Sequence, residues 1–441
     1  MSNAVVSAFK NKQLRKKLLF TTLILIVVRF GSQLPIPEID SAQISAYLKS
    51  TLGDSFSLLN SFTGGSFMQM SVFALSVTPY ITSSIIMQLL TIAIPKLEEM
   101  QKDGEDGRKK IAEYTRYLTV GLALFESCAM AVGLGGKGLL LEDHRNIWGY
   151  LTVVAAMTAG SALLMWIGER ITDNGVGNGI SIVLLINIVS GTPQDMMTLY
   201  ERFMAGRSGA GATVSGIIVL AIIVAIVVFV LVLNDAERRI PVQYSKKMQG
   251  RRMIGGQSTY IPLKVNTANV IPVIFASSLM SFPGIILALL GKSAGTGIGG
   301  KIITGLSSSS WCNPQQPVYS LGLLLYIVLV VFFAYFYTSI SFNPLEIANN
   351  MKKQGGFIPG IRPGKPTSDY LNKILNYIVF IGAVGLTIVA IVPLLASGLL
   401  DVSRISFSGT SLIIIVGVVL ETIKAVESQM LVRYYKGFLN D

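Results

Sequence analysis

Apolar stretches of 17 to 23 residues recur ten times along this chain, at 18–34, 71–92, 117–135, 149–168, 179–195, 213–233, 268–290, 318–339, 374–395 and 407–425. Each is long enough to cross a hydrocarbon layer of about 30 Å as a helix. Lipid offers no partner for backbone N–H and C=O groups, so segments of this length must be helical there. The repeated window therefore predicts an all-α polytopic membrane protein with ten transmembrane helices. Composition agrees: 51% of the residues are hydrophobic and 14% charged, against about 25% charge in a soluble domain. The basic run Lys10, Lys12, Arg15, Lys16 and Lys17 precedes the first window. No convincing small-residue cleavage site follows, so that window is read as a retained first helix.

An even number of crossings puts both termini on one side. Of the 36 Lys and Arg residues, 27 fall in terminal-side segments, 8 in the opposite loops, and Arg29 lies inside the first window. Cytoplasmic loops carry the excess of basic residues, which places the termini and the long basic loops in the cytoplasm. The net charge of +12 then reflects topology and a cytoplasmic partner surface more than a preference for nucleic acid.

Ten spans split into two five-helix halves of opposite orientation, the arrangement of inverted repeats. Local matches support the split. "VTPYITSS" places Ile81 two residues after Pro79, and "VIPVIFASS" places Ile274 two after Pro272; "GISIVL" and "GTSLII" share Gly-x-Ser followed by three aliphatics. The expected units are 1–190, with a short helix at about 56–66, a hinge loop at 191–212, and 213–441 with cytoplasmic loops 234–267 and 340–373. Proline inside a span removes a backbone hydrogen bond and kinks the helix, so spans 2 and 7 are expected to be kinked, mobile walls. Both carry polar residues: Thr82, Ser83, Ser84 and Gln88 in one, Asn269, Ser277, Ser278 and Ser281 in the other. Packing between helices accounts for single serines, and a polar interior accounts for the set.

Two cytoplasmic loops exceed thirty residues, where bundle connections take about two to eight. In the first, apolar runs flank "SKKMQGRR", a hairpin pattern with a basic tip. In the second, prolines and glycines fix turns around Arg362. Length with defined turns indicates a docking platform.

Chemistry is sparse. There is one histidine, His144, in a polar stretch, and two widely spaced cysteines, Cys128 and Cys312. No HExxH, GxSxG or GxxxxGK[ST] occurs, so neither catalysis nor a metal or cofactor is expected. The competing class is an inverted-repeat secondary transporter of a small solute. Coupled transport usually places charge at the substrate site, and the spans offer few candidates: Arg29, Glu126 and Glu421.

Long motifs then carry a resemblance over nearly the whole chain: "RFGSQLPIPEID", "FALSVTPYITSSIIMQLL", "MWIGERITDNGVGNGISI", "RRIPVQYSKKMQGRR", "QSTYIPLKVNTANVIPVIFASS" and "FNPLEIANNMKKQGGFIPGIRPGKPT". The chain resembles the SecY family of protein-translocation channels. The resemblance implies a clamshell of spans 1–5 and 6–10 around a central pore in the cytoplasmic membrane, passing unfolded preproteins and releasing transmembrane segments sideways into lipid. It implies a pore ring of Val77, Ile81, Leu184, Ile274 and Ile414, and a lateral gate that includes Thr82, Ser83, Gln88, Asn269, Ser277, Ser278 and Phe282. It makes the stretch around "SFTGGSF" a plug, with Phe56, Leu58, Leu59 and Phe62 swung on Gly64 and Gly65. Arg238, Arg239, Arg251, Arg252 and Arg362 become contacts for the SecA ATPase or the translating ribosome. SecE, SecG, signal sequences and membrane lipid are the other implied partners.

Overall fold

A computed structural model describes residues 11–37, 39–41, 43–46, 60, 62–135, 146–203, 209–244, 247–249, 252–254, 258–289, 298–306, 311, 320–400 and 409–437. The helices run α1 (Lys12–Gly31), α2 (Thr78–Ala93), α3 (Pro95–Lys102), α4 (Glu105–Gly135), α5 (Ile147–Asn174), α6 (Gly179–Phe203) and α7 (Gly209–Asp235). After a β-rich excursion follow α8 (Ile271–Leu289), α9 (Ile298–Leu306), α10 (Leu321–Ser341), α11 (Pro344–Lys353), α12 (Lys365–Leu400) and α13 (Gly409–Gly437).

Each of the ten apolar windows falls on one of the long helices. By length and composition alone, five helical stretches among the described residues qualify as membrane spans, and α2 with α3 forms a further pair bent by 103°. Exposed apolar faces are extensive, as on α7, where Ile217, Leu220 and Val232 stand open. In a membrane protein such a face meets lipid rather than water.

Two expectations are corrected. Pro79 and Pro272 do not kink their helices. Each is the second residue of its helix, α2 or α8, where the missing N–H would have no intrahelical partner anyway. The apolar window from 71 therefore begins as irregular chain: residues 64–77 form turns and one bridge. Their backbone is satisfied from residues 34–36: Ile36 N–H donates to the Met70 carbonyl (3.1 Å) and Val72 N–H to the Leu34 carbonyl (3.0 Å). Irregular backbone at membrane depth is tolerated where protein buries it. Phe67, Met70, Ala74 and Leu75 pack on Ala123 and Met130 of α4 and on Val153 and Met157 of α5. The second correction concerns 191–212. α6 continues through Gly191 and Pro193 to Phe203, and α7 begins at Gly209, so both ends of the expected hinge loop are helical and 204–208 lies outside the described residues.

The long loops meet in one sheet. β1 (Glu237–Tyr244) pairs antiparallel with β4 (Ser258–Lys264), from Glu237 opposite Lys264 to Gln243 opposite Ser258. Between them β2 (Lys247–Gln249) and β3 (Arg252–Ile254) form the expected basic hairpin. From the second loop, β5 (Gly356–Phe357) adds to the free edge of β1. Ile240, Val242 and Leu263 bury against Met351 of α11 and Leu371 and Ile374 of α12, which anchors the platform to the helices.

The two groups of helices touch along α4 with α8 on one side, and along α6 with α7 and α13 on another.

Candidate functional site: a closed apolar waist between two matched joints

The five candidate ring residues, which would form a waist, stand at the start of α2, in α2, and in α6, α8 and α13. Val77, Leu184 and Ile414 are buried, Ile81 and Ile274 are half-buried, and all five belong to one continuous apolar cluster. Phe62 packs against the same cluster. It belongs, with Thr63, to a short helical turn directly before Gly64 and Gly65. Phe56, Leu58 and Leu59 lie outside the described residues, as does Arg251. Phe282 and Arg252 sit on α8 and β3, with their side chains outside the description.

Two joints lead into the waist, and they match in backbone. Ser76 (φ +51°) precedes Val77, Thr78 and Pro79; Asn269 (φ +52°) precedes Val270, Ile271 and Pro272. A left-handed residue three positions before a helix-starting proline occurs in both halves. Only three non-glycine residues with positive φ occur among the described residues, so their equivalent placement is structural support for the repeat. Asparagine tolerates that region better than serine does. Ser76 is held there by two bonds: Asn187 Nδ2 donates to Ser76 Oγ (3.2 Å), and Ser161 Oγ donates to the Ser76 carbonyl (3.2 Å).

The helices facing the joints also correspond. α6 and α13 start at Gly179 and Gly409, and eight residues on stand Asn187 and Gly417. In the first half a large amide on the helix meets a small residue in the joint. In the second, Gly417 leaves room for the large Asn269: a Cβ at 417 would sit 2.9 Å from Asn269 Oδ1. The same joint holds Asn266, whose Nδ2 donates to Asn234 Oδ1 (2.7 Å).

Asn187 has a further partner, the carbonyl of Phe62 (3.2 Å). Arg29, from α1, donates through Nη1 to the carbonyl of Gly64 (3.3 Å). Gly64 (φ +64°) lies so close to α6 that a Cβ would meet the Asn187 carbonyl oxygen at 2.9 Å and its Cα at 3.0 Å. Only glycine satisfies both the conformation and the approach. Arg29 appears in the sequence only as one of a few charged residues inside spans, and Asn187 does not stand out until its contacts are seen. The available signal was an amide in "VLLINIV", since polar side chains within a span usually have assigned work.

Among the expected gate residues, the hydroxyls turn back on their own helices. Thr82, Ser83 and Ser277 donate to the carbonyls of Thr78 (3.1 Å), Pro79 (2.7 Å) and Ile274 (3.0 Å). Ser278 is exposed and Gln88 half-buried. The seam between the halves on this side is α4 against α8. Glu126 lies half-buried on α4.

On the platform, Arg238 and Arg362 are exposed. Arg239 is already engaged: its Nε donates to Glu237 Oε1 (2.7 Å), and its guanidinium stacks 4.8 Å from the Tyr260 ring centroid.

Long apolar helices packed on one continuous apolar cluster, with a folded platform that exposes Arg238 and Arg362, describe a polytopic membrane protein. Comparison with known proteins is specific. The model of the SecY family matches residues 71–423. The protein translocase subunit SecY of Streptomyces scabiei is 44% identical over 453 residues, spanning 100% of both chains. That of Mycobacterium bovis is 42% identical over 455 residues, again 100% of both. Among solved structures, a protein-conducting channel shares the fold with a TM-score of 0.60 at 17% identity, covering 94% of this chain and 92% of that one. Sec61 in a canine ribosome–channel complex does so with a TM-score of 0.58 at 17% identity, with the same coverage. The chain belongs to the SecY family.

Proposed function

We infer that this chain is the channel-forming subunit of a protein translocase, passing unfolded preproteins across the cytoplasmic membrane and releasing apolar segments sideways into lipid. Family membership carries the conduction of protein. The observation that best supports the detail is the waist, where the five candidate ring residues, Val77, Ile81, Leu184, Ile274 and Ile414, share one apolar cluster with Phe62. A hydrophobic constriction resists wetting. That matters in an energised membrane, where each charge leaking across 100 mV dissipates about 2.3 kcal/mol.

In this reading ten spans form two inverted halves with both termini in the cytoplasm. The segment from about 56 to 66 is the plug, and Gly64 and Gly65 are its hinge. The gate opens along the seam of α4 and α8, with α2 and α10 behind it. The sheet of β4, β1 and β5 is the docking platform, and Arg238 and Arg362 are its exposed cations for an acidic protein surface or RNA phosphate. SecA, the ribosome, SecE and SecG are the proposed partners. Energy comes from the partner, since the chain itself is a conduit and not a catalyst.

The deciding experiment pairs cysteines between α2 and α8. During export they should crosslink to each other and to a signal sequence. Uptake of a small solute without any crosslink to a translocating chain would instead identify a transporter. Arg362→Glu should abolish SecA-driven export by reconstituted vesicles while the protein stays folded; normal export would remove Arg362 from the platform.

A further inference from the structure

We propose that Asn187 is the latch that holds the hinge Phe62–Gly65 closed against the waist, an inference that rests on the channel reading above. One amide group serves two parts of the chain. Its Nδ2 donates to the Phe62 carbonyl at 3.2 Å and to Ser76 Oγ at 3.2 Å. The first partner belongs to the hinge and the second to the joint that carries Val77. Asn187 itself lies one helical turn beyond Leu184, so the hinge, the joint and the ring-bearing helix are coupled through a single side chain.

Packing does not explain an asparagine there. The residue is 2% exposed, within an otherwise aliphatic run, and its Oδ1 is buried with no partner among the described residues. A leucine of similar size would avoid that unmet acceptor. What a leucine lacks is the pair of N–H donors. The equivalent place in the other half is Gly417, where no plug segment needs holding, and there the large polar side chain has moved to the joint as Asn269.

The geometry also makes the latch reversible. When the hinge swings out, Ser76 Oγ still occupies one Nδ2 donor, so opening releases a single hydrogen bond of ordinary strength. The freed Phe62 carbonyl would meet water in the widened pore. Gly64 is what lets the closed position form, since its missing side chain allows the hinge to lie against the backbone of α6. Arg29 supplies a second, longer tether from α1 at 3.3 Å.

The test uses the complete translocase in vesicles, carrying Asn187→Ala or Asn187→Leu. Both variants should raise idle ion conductance by up to roughly tenfold, the population shift expected from losing the one buried hydrogen bond that opening breaks. Both should also export a preprotein whose signal sequence is defective. Amide exchange over residues 60–71 should quicken while exchange in β1 and β4 is unchanged, which reports that the variants are folded. The near-isosteric Leu variant separates latch from filler: if it idles as tightly as the unmodified complex and residues 60–71 exchange no faster, the latch is overturned. If the unmodified complex fails to export any preprotein, it is the channel reading that falls, and the exchange measurement still decides whether Asn187 restrains the hinge.

Discussion

The two joints that flank the waist share a backbone and differ in what fills them. Ser76 and Asn269 have nearly the same φ, and each stands three residues before a proline that opens a helix. Across from them, Asn187 and Gly417 exchange the roles of large and small. The common backbone is what the proposed inverted repeat would preserve, because it sets where α2 and α8 begin. The exchanged side chains are what divergence allowed. In the first half the amide reaches past the joint to the hinge. In the second, Asn234, Asn266 and Asn269 gather around Gly417 and stay within their own half. Two joints of matched backbone can thus carry different side-chain contacts.

The comparison breaks most severely at Gly64. Valine there must adopt a left-handed conformation, costing about 1–2 kcal/mol, and collide with the backbone of α6, for a combined loss of roughly 3 kcal/mol or more. Idle conductance of reconstituted vesicles should rise to that of a plug deletion lacking residues 57–65. The same change at Gly65, also at positive φ but with open space around its missing Cβ, should cost only about the conformational 1–2 kcal/mol.

Next in size is a transplant of one joint into the other. Gly417→Asn alone should destabilise the protein by roughly 2–3 kcal/mol through overpacking against Asn269. Adding Asn269→Ser, which recreates the first joint's pairing, should restore about 1–2 kcal/mol, as contacting residues couple. Thermal unfolding in detergent measures both; strict additivity would mean that the joints are not equivalent.

Polar substitution of Ile81 or Ile274 sharpens the symmetry of the ring itself. Asparagine at either position should increase idle conductance, by similar factors if the two prolines place these residues equivalently; unchanged conductance would remove both from the waist.

Smallest are two exposed ion pairs between helices: Arg116 with Glu169 and Lys424 with Asp235, each at 2.7 Å. Neutralising either should cost no more than about 0.5–1 kcal/mol. Salt near 1 M should erase the effect, since charges are then screened over about 3 Å.

The amino-acid sequence by itself determined the helices, the basic platform and the correspondence of the halves. Each depends on a local pattern: a run of apolar residues long enough for a bilayer, a hairpin signal around "SKKMQGRR", and two short motifs repeated with the same spacing. It did not reveal that residues 71–77 are irregular. An apolar stretch reads alike whether its N–H groups donate four residues back or, as Val72 N–H does, to the distant Leu34 carbonyl. Nor could it show that Pro79 and Pro272 start helices instead of kinking them, because that depends on where the preceding chain stops being helical. β5 was illegible as well, since two residues become a strand only when the edge of β1 lies beside them. Tertiary structure alone decided that Asn187 touches Phe62 and Ser76, residues 125 and 111 positions away. Local propensity acts over a few residues, whereas a hydrogen bond between distant segments exists only once packing has brought them within about 3 Å. For that reason the walls of the channel were visible in the sequence, and the latch was not.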